Sequence, residues 1–75
     1  MNKQKRKRLS TAKEMISTAC GIIEGVRDDE QESYDNLPEG IQESNVGVSM
    51  EENVDILTDA IDYLNSAVEE MGRLE

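Results

Sequence analysis

The chain contains no histidine, no tryptophan and no phenylalanine, and it has a single cysteine, a single proline and two tyrosines. Each scarcity closes off a class of chemistry. Without histidine there is no mixed Cys/His metal site, and the Glu-x-x-His pair of a di-iron bundle cannot be made. Cys20 has no second cysteine to bridge, so no internal disulfide can staple the fold. As a nucleophile it would need a base or a cation beside it, and Glu24, one turn on, carries the wrong sign. Cys20 therefore reads as a small hydrophobe. There is no glycine-rich phosphate loop, no apolar run long enough to span a bilayer, and no apolar core behind the basic start of the kind a secretory signal has. These features predict a cytoplasmic protein, and a lone cysteine fits a reducing compartment. They predict neither an enzyme nor a cofactor.

What is present is apolar periodicity. From Ser49 to Leu74, Met50, Val54, Leu57, Ile61, Leu64, Val68 and Met71 follow one another at alternating spacings of four and three. That is a heptad seam with every position apolar. A second row, Ile56, Ala60, Tyr63, Ala67 and Leu74, lies beside it and widens the apolar arc. A helix with one neighbour needs only a narrow stripe, so this helix is expected to have two. Ser49 and Glu52 have the spacing of a capping box, which predicts a helix over about 50–74.

An earlier series, Leu9, Ala12, Ile16, Ala19, Ile23 and Val26, predicts a first helix over about 5–35. Its register then turns polar at Glu30 and Ser33 and resumes at Leu37. Gly21 and Gly25 share a face away from this seam, either as tolerated weak points or as a shallow groove for another helix. Residues 36–48 form the connection, where Pro38 is placed for the first turn of a short helical segment and Gly40 and Gly47 punctuate the chain. Leu37 and Ile41 are expected to plug the open end between the helices.

The fold class expected is therefore all-α: an antiparallel two-helix hairpin over 9–75 behind a basic head at 1–8. The longer first helix should project its basic turns beyond the end of the second. A chain of this length supplies little net stability from one core. With disulfides and a multi-Cys/His metal site excluded, idealised helix packing or oligomerisation is the remaining support, and small chains with broad apolar arcs commonly gain their core by oligomerising. The hairpin is thus expected to form a homodimer, a four-helix bundle, with Ile56, Ala60, Tyr63, Ala67 and Leu74 at the interface.

The net charge of −9 conceals a division. Lys3, Lys5, Arg6, Lys7, Arg8 and Lys13 stand in the first 13 residues, which hold no acid, and all 17 acids follow. So acidic a body repels nucleic acid and suits a partner with a basic surface, or simply confers solubility. The head reads either as a solubilising helix start or as an electrostatic contact; Lys3, Lys5, Arg6, Lys7 and Arg8 are the only residues through which nucleic acid would bind. They have no interleaved aromatics for base stacking.

Some of the acids are spaced as metal ligands can be. Asp29 with Glu32, Glu52 with Asp55, and Asp59 with Asp62 have the spacing of carboxylates in all-helical, magnesium-dependent nucleotide pyrophosphatases. The pairs on the second helix, however, point away from the seam that carries Leu57 and Ile61, so they cannot converge on one site. The run Asp28 to Glu32 faces all around a helix and lacks the turn glycine of a calcium loop. The acids are better read as a surface: Asp55, Asp59 and Asp62 on helix two, and Asp28, Asp29, Glu32, Asp35, Glu39 and Glu43 at the hairpin tip.

The stretch Tyr34-Asp-Asn-Leu-Pro-Glu-Gly-Ile-Gln42, followed by Gly47, Met50-Glu-Glu and alternating acids and aliphatics, resembles a loose group of small acidic proteins. These are encoded by phages and mobile elements of Gram-positive bacteria, and the similarity covers about residues 28–71. The group has no catalytic or binding residues to carry over. The resemblance implies a phage-type origin, a bacterial host cytoplasm, and action by binding and blocking a host protein such as a nucleic-acid-binding defence effector. The acidic faces would then mimic DNA. Two other readings stay open: an assembly protein forming a helical oligomer, and a nucleic-acid binder acting through the basic N-terminus.

Overall fold

Two apolar seams on polar helices can be satisfied by each other if the chain folds back once, and this is what the computed structural model, which describes residues 1–75, contains. Helix α1 spans Lys3–Asp35 and helix α2 spans Asn45–Met71; there are no strands. Turns at 36–43 join them into an antiparallel hairpin, 58 × 16 × 12 Å along its principal axes. No helix is long and apolar enough to cross a membrane.

The seam of α2 is the one its heptads spell. Met50, Val54, Leu57, Leu64, Val68 and Met71 are half-buried, and Ile61 at mid-length is buried. The seam of α1 departs from its heptads beyond Ile23. Val26 is 53% exposed, while Arg27, Glu30 and Tyr34 turn inward. A straight α-helix has 3.6 residues per turn, so a strict seven-residue series drifts around it by about 20° per heptad. The contact line accordingly steps to Cys20, Ile23, Arg27, Glu30 and Tyr34. Cys20 is buried at 7% exposure, which makes it the small hydrophobe of the mid-hairpin core.

Helix α2 starts earlier than the capping box at Ser49 indicated. Its N-cap is Ser44, in extended conformation, whose hydroxyl accepts from the Gly47 amide at 3.5 Å and donates to the Ile41 carbonyl. Ser49 lies a turn inside the helix because nothing between Asn45 and Val48 breaks it. Gly47, read as loop punctuation, is instead a buried residue of the first turn. It sits against the Gln42 backbone, where a methyl group would collide with the Gln42 carbonyl. Glycine is required there by proximity. Gly40 is required by conformation, with φ at 89° in the left-handed region.

Pro38 opens no helical segment. The connection is a run of turns, with Ile41 N–H donating to the Pro38 carbonyl and Ser44 N–H to the Ile41 carbonyl, both at 3.0 Å. Leu37 closes the tip and Ile41 stays exposed, so only one of the two expected plugs is in place. The Gln42 amide ties the turns to α1 through the Tyr34 carbonyl at 3.2 Å.

At the other end α2 stops at Met71, about level with Ala12 when residues are counted from the Glu30–Asn53 hydrogen bond, so the basic turns of α1 project beyond it as expected. The Met1 ammonium donates to the Glu75 carbonyl at 2.9 Å, so it is residues 72–75, past the end of α2, that run back beside those turns. Asn2 caps α1, its side chain accepting from Lys5 N–H at 2.8 Å.

Candidate interaction surfaces

Three surfaces follow from this geometry: an acidic tip, a basic base and an apolar face between them. Residues 28–52, which fold around the tip, contain nine acids and no basic residue. Asp28, Asp29, Glu32, Asp35, Glu39 and Glu43 are all exposed. Their internal partners are few. Arg27 pairs with Asp28 at 3.3 Å, and Gln31 donates to Asp35 at 2.9 Å. Asp29, Glu32, Glu39 and Glu43 form no ion pair. The crowding is felt at Tyr34, whose phenol is pushed above its ordinary range chiefly by hydrogen bonding to the Glu51 carboxylate. Partial desolvation and the charges of Glu51, Asp35 and Glu43 add to the effect.

Asp55, Asp59 and Asp62 are exposed on α2. At about 100° per residue they project from the side opposite the seam, with neighbours one turn apart about 5–6 Å from each other. No three acidic or sulfur side chains stand close enough together to hold a metal ion. What the acids present is a field, strongest at the tip.

At the base, seven basic residues (Lys3, Lys5, Arg6, Lys7, Arg8, Lys13 and Arg73) face three acids, Glu69, Glu70 and Glu75. Only Arg73 is paired, with Glu70 at 2.7 Å. An open cleft of about 300 Å³ runs between the helix ends there, lined by Arg6, Leu9, Lys13 and Met71 among others.

The second apolar row of α2 lies in solvent. Ile56 is 63% and Tyr63 76% exposed; Ala67 and Leu74 are also exposed, and Ala60 is half-buried. Periodicity in α2 pointed to that row but not to its companion on α1. Met15, Ile22 and Val26 are 68%, 65% and 53% exposed, with Ala19 half-buried between them. Both rows lie about a quarter turn from their own seam, and in an antiparallel pair those directions coincide, so the two rows share one face of the hairpin. The signal for the α1 row was present in the 4-3-4 spacing of Met15, Ala19, Ile22 and Val26, hidden because Ala19 and Val26 also fit the seam. Gly21 and Gly25 open onto solvent away from this face, with nothing within 4 Å of either.

The chain matches no protein-family model, and no curated protein or solved structure is similar to it.

Proposed function

We propose that this chain is a non-enzymatic, phage-type interaction protein, a hairpin that dimerises as a four-helix bundle and occupies a basic surface on a host protein. The observation that carries the reading is the unpaired acidic tip. Nine acids gather over 25 consecutive residues without one internal cation, and most of their carboxylates have no partner in the fold. Such a concentration of charge works against the folded monomer by self-repulsion, and a basic partner would relieve it. Asp55, Asp59 and Asp62 extend the field along α2. A surface of this kind competes with nucleic acid for a basic groove, which is the DNA-mimic form of the proposal, with a nuclease or other defence effector as the target class.

The test is an affinity pull-down from a Gram-positive host lysate at low and high salt. An abundant basic partner retained at low salt and released at high salt is the expected result. Reversing Asp55, Asp59 and Asp62 to Lys should abolish retention while helicity is unchanged. Equal retention by that variant would remove the mimicry reading. The exposed apolar face favours a second reading, assembly into a larger helical oligomer. Mass in solution separates the two, because mimicry needs only a small soluble dimer.

A further inference from the structure

The apolar face is palindromic. Met15, Ala19, Ile22 and Val26 run 4-3-4 on α1, and Ile56, Ala60, Tyr63 and Ala67 run 4-3-4 on α2. The first row is centred between Ala19 and Ile22, the second between Ala60 and Tyr63. Counting along the helices from the Glu30–Asn53 hydrogen bond brings these two centres level to within about one residue, or 1.5 Å. A two-fold axis crossing the hairpin at that height would lay each row on its own copy, reversed. Met15 then meets Val26 and Ala19 meets Ile22; Ile56 meets Ala67 and Ala60 meets Tyr63. In three of these four pairings a large side chain meets an alanine, the complementarity that lets helices pack closely.

We infer that a second copy of this chain covers the face head to tail, with the base of each hairpin against the tip of the other. This rests on the dimer proposed above and assigns its face and its orientation. The chain exposes 5836 Å², against about 4,600 Å² for a folded monomer of its mass. The whole side of the hairpin that carries these rows, 58 by 16 Å, has a footprint on the order of 900 Å² with the apolar rows at its middle, where a stable interface needs about 800 Å² per partner.

The orientation follows from charge. A base-to-base pairing would also bring apolar rows together, α1 over α2 of the other copy, so shape alone does not choose. Charge does. Base-to-base packing stacks two basic ends together and two nine-acid tips together. Head-to-tail packing sets the base, with its seven basic residues and three acids, against each nine-acid tip, which relieves both repulsions while the tip stays net acidic, and brings Arg8 toward the level of Asp29 and Ser33 of the other copy. Helix α1 carries the sharper sign. Its first turns are basic and its last turns acidic, with no acid in the first turn and no base in the last. That is the reverse of what the helix dipole favours at each end. An antiparallel α1 from a second copy sets acids on the basic end and bases on the acidic end, correcting both.

Two measurements test this. Sedimentation should give twice the chain mass for the natural protein and the chain mass for Ile22→Glu and Tyr63→Glu, with helical circular dichroism retained because both side chains are in solvent. Orientation is read from a spin label at Glu39→Cys in a Cys20→Ala background. Head to tail, the labels sit near opposite ends of the dimer, a separation on the order of 60 Å at 1.5 Å per residue. Base to base, they lie within about two helix diameters, roughly 20 Å. A natural protein that sediments as a monomer overturns the dimer and this inference together. A dimer untouched by both glutamates overturns the face. A dimer with the short label distance overturns the orientation alone and leaves the dimer of the preceding section standing.

Discussion

The Asn53 amide donates to the Glu30 carboxylate at 2.8 Å, a side-chain hydrogen bond that joins the two helices. It sets the register of the hairpin at a point where the α1 seam is polar. Its worth is bounded by exposure: both groups keep access to water, so the coupling belongs at the low end of the ~0.5–1.5 kcal/mol of a typical hydrogen bond. A double-mutant cycle of Glu30→Ala and Asn53→Ala by urea unfolding should return below about 1 kcal/mol of interaction. A value well above that would mean the bond does more than align the helices.

Glycine substitutions should sort by position. Gly21→Ala and Gly25→Ala add a methyl group in open space within α1, and each is expected to stabilise by about 1 kcal/mol. Gly47→Ala has the same helical context and the opposite expectation, because its methyl group meets the Gln42 carbonyl. A raised melting temperature for Gly21→Ala and a lowered one for Gly47→Ala is the outcome to look for. Equal shifts would mean that the turn yields to the added group.

Tyr34 predicts an alkaline limb. Its folded pKa lies above the ordinary value, so the folded state holds that proton more tightly than the unfolded chain. The contribution is full below the ordinary value of about 10 and is lost as pH rises through the raised value. In a Tyr63→Phe background, ultraviolet titration follows Tyr34 alone, and Glu51→Gln should move its midpoint down. No movement would discard Glu51 as the main cause.

Cys20 is buried between the helices and is the only thiol. Its modification by a polar thiol reagent should be slow in the folded protein and should accelerate in step with unfolding by urea. Rapid labelling without denaturant would show that the hairpin opens at mid-length far more often than its ends suggest.

The second helix was the more legible of the two. Every position of its seam is a mid-sized or large aliphatic, so the pattern tolerates small errors of phase. The seam of α1 includes Ala12 and Ala19, which fit equally well on a neighbouring face, and helical drift then exchanges Val26 for Arg27. The start of α2 was obscured by competing caps. Ser44 and Ser49 both carry a hydroxyl that can accept from an amide three residues on, and the choice depends on Gly47 permitting a backbone approach that no local pattern encodes. The acids could be assigned to the surface from spacing alone. That the apolar row of α2 has a twin on α1 required knowing which residues stand level across the hairpin.

Gly47 also bears on the order in which the structure forms. Gly47 packs on the Gln42 backbone, the Gln42 amide ties the turns to Tyr34 eight residues away, and the rungs beyond join residues further apart in sequence, 23 apart already at Glu30 and Asn53. Loop-closure entropy grows with that separation, so the rungs form most readily from the turn outward. The acidic end is then the nucleus and the basic end the last to close. Amide exchange should follow this gradient, slowest near the tip and fastest toward Leu9 and Met71. The base is also the part a second copy would hold shut, so dimer formation should flatten the gradient rather than merely raise it.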